Sequence, residues 1–315
     1  MSEAASANAA AQVFVVGSAN HDILLTVPAL PGAGETVIAD ETLEFLGGKG
    51  QSQAIAAGLF GSPTTLLASV GDDDWGRRVR TALVDAGIDT GRVRTVPGAT
   101  GRAIVTVDRD GENSIVVERG ANAGLQSLLP EDRVALGQAA LLLVQYEVGD
   151  AVAFESIRAA GDADVRVVLN AAPAMATPLD VLEHVDYLIA NEIEACQLAG
   201  EPDIDRAAEK LLETVGAVLV TLGAEGGVFH RAGTPPIVQP AMRAEVVDTT
   251  GAGDSVCGVF TSAIAQGYDE LDAFRLGLLA GSLATEVMGC VPSIPDRRRV
   301  FEAFAAAHGR APKRH

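Results

Sequence analysis

The chain has 315 residues, 48% of them hydrophobic and only 4% aromatic, so a large core can form and must be built from Ala, Val, Leu and Ile. Its formal net charge of −19 argues against nucleic acid or anionic membrane as a partner. Any anion it binds must be met locally, by helix N-termini and backbone N–H groups. Three widely spaced cysteines, Cys196, Cys257 and Cys290, suggest neither a disulfide framework nor a zinc cluster. The N-terminus lacks a secretory pattern and no apolar stretch reaches membrane-spanning length, which points to a cytoplasmic setting.

In chain order, residues 1–11 are small and polar and are expected to be disordered. VFVVG (Val13–Gly17) reads as a buried strand. Residues 20–46 alternate polar and apolar and hold Pro28, Pro31, Gly32 and Gly34, which predicts β-structure outside the main sheet. From Gly47 to Phe60 two glycines and a lysine lead into an Ala-rich helix. Thr64–Gly71 is a predicted strand and Asp74–Ala86 an amphipathic helix. Thr100–Asp108 and Ser114–Glu118 predict a hairpin turning at Asp110-Gly111. Strands follow at Ala140–Glu147, Val165–Asn170, Val185–Asn191, Ala217–Gly223 and Gly227–Arg231, with helical segments between several of them, including 205–215. Two more helices are predicted over 254–268 and 270–288. Strands alternating with helices imply an α/β fold whose mostly parallel sheet binds ligands at the carboxyl ends of its strands. No break in composition marks a second full domain, so residues 12–310 are expected to form one.

The most informative stretch is Asp248-Thr249-Thr250-Gly251-Ala252-Gly253-Asp254. Glycines before a helix let consecutive N–H groups point into one concavity, and with the helix N-terminus they make a site for a phosphate. Asp254 then sits in the first turn beside that site. Phosphoryl transfer needs a carboxylate to orient and deprotonate the attacking hydroxyl, and fixed donors for the transferred charge. A bare Gly-x-Gly-Asp would read better as a capped turn, but the seven-residue string is more specific.

That string resembles the signature of the ribokinase-like (PfkB) sugar kinase family. Gly47-Gly48-Lys49-Gly50 with Gln53-Ala54 resembles the family's N-terminal signature, Asn191-Glu192-Ile193-Glu194 its N-x-x-E motif, and Thr221-Leu222-Gly223-Ala224-Glu225-Gly226 its nucleotide loop. Four motifs in register from about residue 13 to 296 carry the resemblance together. It implies a three-layer fold with a central sheet flanked by helices, plus a small β-sheet lid formed by about 20–46 and 100–119. It implies transfer of the γ-phosphate of ATP to a small sugar, most naturally D-ribose, with Asp254 as base and the amides of Gly251, Ala252 and Gly253 as anion hole. Asn20, Asp22, Gly47, Gly48, Lys49, Ser52 and Glu147, with Asp254, correspond to sugar-side positions. Asn191 and Glu194 correspond to residues that organise Mg²⁺ and the ATP phosphates, and Thr221, Gly223, Gly226 and Gly253 to the nucleotide site. Asp248, Thr250, Ala284, Val287, Gly289 and Ser293 align with a monovalent-cation site, usually K⁺. A homodimer through the lid is also implied.

The match breaks at Ser52, where the family motif G-G-K-G-A-N-Q-A carries a sugar-binding Asn. Deoxyribose, fructose or a nucleoside therefore remain alternatives, as does a non-catalytic sugar or nucleotide sensor, although a sensor has no need of Asp254. A dinucleotide-dependent oxidoreductase would need G-x-G-x-x-G after the first strand, and Gly17-Ser18-Ala19-Asn20 does not provide it.

Overall fold

The computed structural model describes residues 11–110 and 112–315. The expected disordered tail, but for Ala11, and Gly111 of the expected hairpin turn lie outside the described residues. The chain runs β1 (Val13–Val16), β2 (Asn20–Thr26), β3 (Glu41–Gly47), α1 (Lys49–Phe60), β4 (Thr64–Gly71), α2 (Asp74–Asp85), β5 (Val93–Val96), β6 (Gly101–Val107) and β7 (Asn113–Glu118). It continues through α3 (Pro130–Leu136), β8 (Leu141–Gln145), α4 (Asp150–Asp162), β9 (Arg166–Asn170), α5 (Leu179–Leu182), β10 (Tyr187–Asn191), α6 (Glu192–Ala199) and α7 (Ile204–Leu211). Then come β11 (Ala217–Thr221), β12 (Gly227–Arg231), β13 (Ile237–Gln239), α8 (Ala252–Ala265), α9 (Glu270–Ala284), α10 (Cys290–Ser293) and α11 (Arg297–His308).

Nine strands form the main sheet in the order β13-β12-β11-β10-β9-β8-β1-β4-β5, parallel except for β12 and β13 at one edge. The inner strands are apolar on both faces because helices cover both. Val13 and Val15 of β1 face a core built with α1, α2, α8, α9 and α11, whereas Phe14 and Val16 face one built with α3 to α7. α1 and α8 pack so closely that a Cβ on Gly258 would lie 2.5 Å from both Ala56 Cβ and Gln53 O. That approach brings the first turns of the two helices together at the carboxyl end of the sheet. The remaining strands form a separate sheet, β3-β2-β6-β7, in which β2 pairs parallel with β6 and antiparallel with β3. This is the expected small lid.

Part of the acidic composition is structural. Asp73, Asp203, Asp269 and Asp296 accept hydrogen bonds from the first-turn amides of α2, α7, α9 and α11. Buried Asp272 is gripped by both terminal nitrogens of Arg310 at 2.6 Å and by Lys313 N at 2.7 Å, which ties the C-terminal tail to α9. Those donors outweigh its burial and hold its carboxyl down at about 2.

Several boundaries differ from those predicted. β8 ends at Gln145, so Glu147 stands in the turn after it, where Gly149 N closes on Tyr146 O at 2.9 Å. The helix predicted from 254 begins at Ala252, and its successor ends at Ala284 rather than 288. Strands β5 and β13 and the C-terminal helix α11 lay beyond the sequence reading.

Candidate active site

The predicted residues converge where β1, β8, β9, β10 and β11 end and α1 and α8 begin. Asp254 lies in the first turn of α8, partly buried. Its Oδ1 accepts from Gln53 Nε2 at 2.8 Å, and the Cys290 thiol lies 3.8 Å from its Oδ2. Burial raises the Asp254 pKa above the ordinary carboxylate value, against the pull of Lys49 and Gln53. Burial works against the Lys49 ammonium too, but Asp254, Glu147 and Glu194 outweigh it and hold its pKa above the usual lysine range. Lys49 is therefore a fixed positive charge among three carboxylates. Before α8 the chain turns through Gly251 at φ 79, a conformation costly for any residue with a Cβ. The Ala252 amide is spent on Thr249 O at 3.2 Å, whereas those of Gly251 and Gly253 have no acceptor among the described residues. The predicted three-amide anion hole thus has two free members here.

On the lid side, Asn20 and Asp22 project from the same face of β2. Asn20 is buried, and its Oδ1 accepts from Asn122 Nδ2 at 2.7 Å, which aims its own amide nitrogen elsewhere. The Asp22 carboxylate nestles against Gly47, where a Cβ would stand 1.9 Å from Oδ2. Burial, helped by Glu147 and Asp254, raises Asp22 to about 7. Glu147 Oε2 accepts from Lys49 N at 3.0 Å and from the Ser18 hydroxyl. Gly48, at φ 89, supplies the turn from β3 into α1.

One expectation needs correction. Ser52 is fully buried with its hydroxyl 3.0 Å from Cys290 Sγ, so that hydroxyl is not presented as a sugar-side position would need. His21, between Asn20 and Asp22, is buried on the opposite face of β2 and stacks on Trp75 with ring centroids 3.6 Å apart. That stack joins the lid to α2.

Beyond Asp254 two cavities meet at Thr221, Thr249 and Gly253. One, of about 230 Å³, is lined by Lys49, Asn170, Asn191, Glu194 and Asp254. The other, of about 440 Å³, runs along Gly223, Gly226, Ala241, Met242, Val256 and Leu278. The first suits charged phosphates and the second a flat apolar ring. Asn191 and Glu194 form a reciprocal capping box on α6, with Asn191 Oδ1 accepting from Glu194 N at 2.8 Å and Glu194 Oε2 from Asn191 N at 2.9 Å. That cap leaves both at the cavity edge.

The aligned cation residues also come together. Asp248 accepts from Thr250 N at 2.9 Å and from Gly289 N at 2.8 Å, and the amides of Val247 and Asp248 reach Thr285 O. The 248–250 turn is thereby tied to the segment that runs from Ala284, at the end of α9, through Val287 and Gly289 to Ser293 in α10. No group of three or more His, Cys, Asp or Glu side chains able to hold a metal occurs among the described residues. No described helix is long and apolar enough to cross a membrane.

Sequence reasoning assigned no role to Gln53, Asn122, Gln145, Asn170 or Cys290, all buried and all one or two contacts from the site. Gln145 and Asn170 carry a readable signal: each is a lone amide ending an apolar strand.

The sequence matches the family described as "pfkB family carbohydrate kinase" over residues 10–297. This chain belongs to that family. It is similar to the ribokinase of Arabidopsis thaliana, 35% identical over 304 residues that cover 92% of this chain and 80% of that protein. It is also similar to the ribokinase of Haemophilus influenzae, 33% identical over 91% of this chain and 96% of that protein. The solved Arabidopsis thaliana ribokinase complexed with ribose and ATP superimposes with a TM-score of 0.85, over 92% of this chain and 97% of that one. The three-layer body and separate lid sheet are therefore the ribokinase fold, and the chain is a carbohydrate kinase.

Proposed function

We propose that this kinase transfers the γ-phosphate of ATP to D-ribose, giving ribose 5-phosphate, with Asp254 as the base. The observation that carries this is the seat of Asp254: on a helix N-terminus beside the free amides of Gly251 and Gly253, with Asp22 and Glu147 toward the lid and the two cavities on its other flank. The relatives' names and the ribose and ATP bound in the Arabidopsis structure support the same substrates.

Asn20, Asp22 and Glu147 offer both donors and acceptors and grip the sugar hydroxyls. Gly47 and Gly48 let the backbone approach, and Lys49 faces the phosphate being moved. Asp254 takes the proton from the attacking hydroxyl as its oxygen bonds to the γ-phosphorus and the bond to ADP breaks. The amides at the start of α8 hold the charge on the moving phosphoryl group. Thr221, Gly223 and Gly226 line the nucleotide's seat. Asn191 and Glu194 suit a magnesium ion that keeps its water and rides on the phosphates, whose charge it would neutralise. Asp248, with the oxygens of Thr250, Ala284, Val287, Gly289 and Ser293, suits a potassium ion, an all-oxygen donor set beside the anion hole. The lid excludes water that would otherwise hydrolyse ATP.

ADP release measured with ATP, Mg²⁺ and K⁺ across ribose, deoxyribose, fructose and nucleosides is expected to be fastest with ribose. It should fall when K⁺ is replaced by tetramethylammonium. Faster turnover of another acceptor would replace ribose.

The lid also presents Ile115, Val116 and Val117, each about half exposed or more, on edge strand β7. An apolar edge strand is a template for pairing, which supports a homodimer through the lid. The wild type should sediment as a dimer and Val116→Lys as a monomer; a monomeric wild type would remove this reading.

A further inference from the structure

We propose that Gln53 is a positioning residue that fixes the orientation and protonation of the Asp254 carboxylate, and that Gln145 and Asn170 hold Gln53 to that task. This rests on Asp254 being the base. Gln53 lies one turn into α1 and is fully buried. Its Nε2 donates to Asp254 Oδ1 at 2.8 Å and to Asn170 Oδ1 at 3.0 Å. Its Oε1 accepts from Gln145 Nε2 at 2.6 Å, and Asn170 Nδ2 donates to Ile189 O at 3.2 Å.

Every bond in this chain dictates the next. Ile189 O can only accept, so the Asn170 amide nitrogen turns to it and the Asn170 oxygen turns to Gln53. Gln53 then faces two acceptors, Asn170 Oδ1 and Asp254 Oδ1, and its NH₂ group has one hydrogen for each. Flipping Gln53 would set an amide oxygen against both and leave the Gln145 donor opposed by another NH₂. Such buried mismatches are among the costliest in a protein. The Asp254 carboxylate is thus held by a donor whose direction comes from Asn170 on β9 and is matched by Gln145 on β8, leaving Oδ2, with only the Cys290 thiol 3.8 Å away, for the substrate proton. The glycine at 258, one helical turn after Asp254, is what lets α1 come close enough for this reach.

The test is the pH dependence of kcat in the full-length enzyme, measured with the sugar it turns over best. Gln53→Glu keeps the shape but replaces the donor with an acid beside Asp254. The two carboxyls then share a proton, and the acid limb of the profile should move up by about one pH unit or more. Gln145→Met removes the polarising donor only and should lower kcat by about 5-fold or more with sugar KM within about 2-fold. A purely structural role would lower the melting temperature without moving the acid limb. An unmoved limb in folded Gln53→Glu overturns the proposal. If that variant does not fold, wild-type kcat in Gln145→Met overturns it. Asp254→Asn, run alongside, separates the two readings: full activity there removes the base itself, whereas an inactive Asp254→Asn with an unmoved limb in Gln53→Glu removes only the role of Gln53.

Discussion

Asp254→Asn is expected to fold, to bind sugar with KM nearly unchanged, and to lose at least about 10²-fold in kcat. The substitution keeps the volume of the side chain and can still accept from Gln53 Nε2, which now stands 2.8 Å from Oδ1. What it cannot do is take a proton. Two effects on stability oppose each other, because the amide relieves the cost of burying a carboxylate but takes from buried Lys49 its strongest counter-charge, so the melting temperature is expected to shift little. Burial raises the Asp254 pKa, so the folded state holds the proton more tightly than the unfolded chain. Its contribution is then fully present below the ordinary carboxylate range and is lost as pH rises through the raised pKa. Above the raised pKa the ionised carboxylate opposes folding, and an amide removes that penalty. Steady-state kinetics and a thermal melt on one preparation check both halves. Near-normal kcat would take Asp254 out of the base role.

Gly251→Ala is expected to lower kcat on the order of 10²-fold through the phosphate end of the site. The residue sits at φ 79, where a side chain costs about 1–2 kcal/mol. Its Cβ would also lie 2.4 Å from Cys290 Sγ and 3.1 Å from Cys290 Cα. Cys290 has little room to retreat, because its thiol is already 3.0 Å from Ser52 Oγ and 3.8 Å from Asp254 Oδ2. The turn must therefore give way, and with it the direction of the Gly251 and Gly253 amides. A companion Gly251→Ala, Cys290→Ala variant should recover part of the rate by removing the clash with Sγ, while the close approach to the Cys290 backbone and the strain at φ 79 stay. A Gly251→Ala enzyme with a lowered melting temperature but wild-type kcat would show that the turn supports the fold and not the phosphoryl group.

Strands covered on both faces were easy to read, since β1, β8, β10 and β11 are unbroken apolar runs and lie where expected, within a residue or two. The edge strands β5 and β13 were not, because a half-exposed run such as Val93-Arg94-Thr95-Val96 has no signature apart from the neighbour it pairs with. The same division holds in the site. Residues whose chemistry needs a local backbone shape, such as Gly251 and Asp254 or the Asn191–Glu194 box, leave a motif in contiguous sequence. Gln53, Gln145 and Asn170 owe their part to three separate elements meeting, and Ser52 and Cys290 lie 238 positions apart. Only the packing of α1 on α8 and on the strand ends shows those partnerships.

The way the lid is attached has a mechanical consequence. The chain passes between body and lid four times, at β1 to β2, β3 to α1, β5 to β6, and β7 to the 3₁₀ turn Gly120–Gly124. A flap on one hinge can swing and twist independently of what it covers. A flap on four tethers is restrained more like a leaf spring clamped along one edge, and the His21–Trp75 stack lies beside one of the tethers. Two of those tethers end at Asn20, the first residue of β2, and Lys49, the first residue of α1, so bending of the leaf would change the distance between two of the residues proposed to meet the sugar.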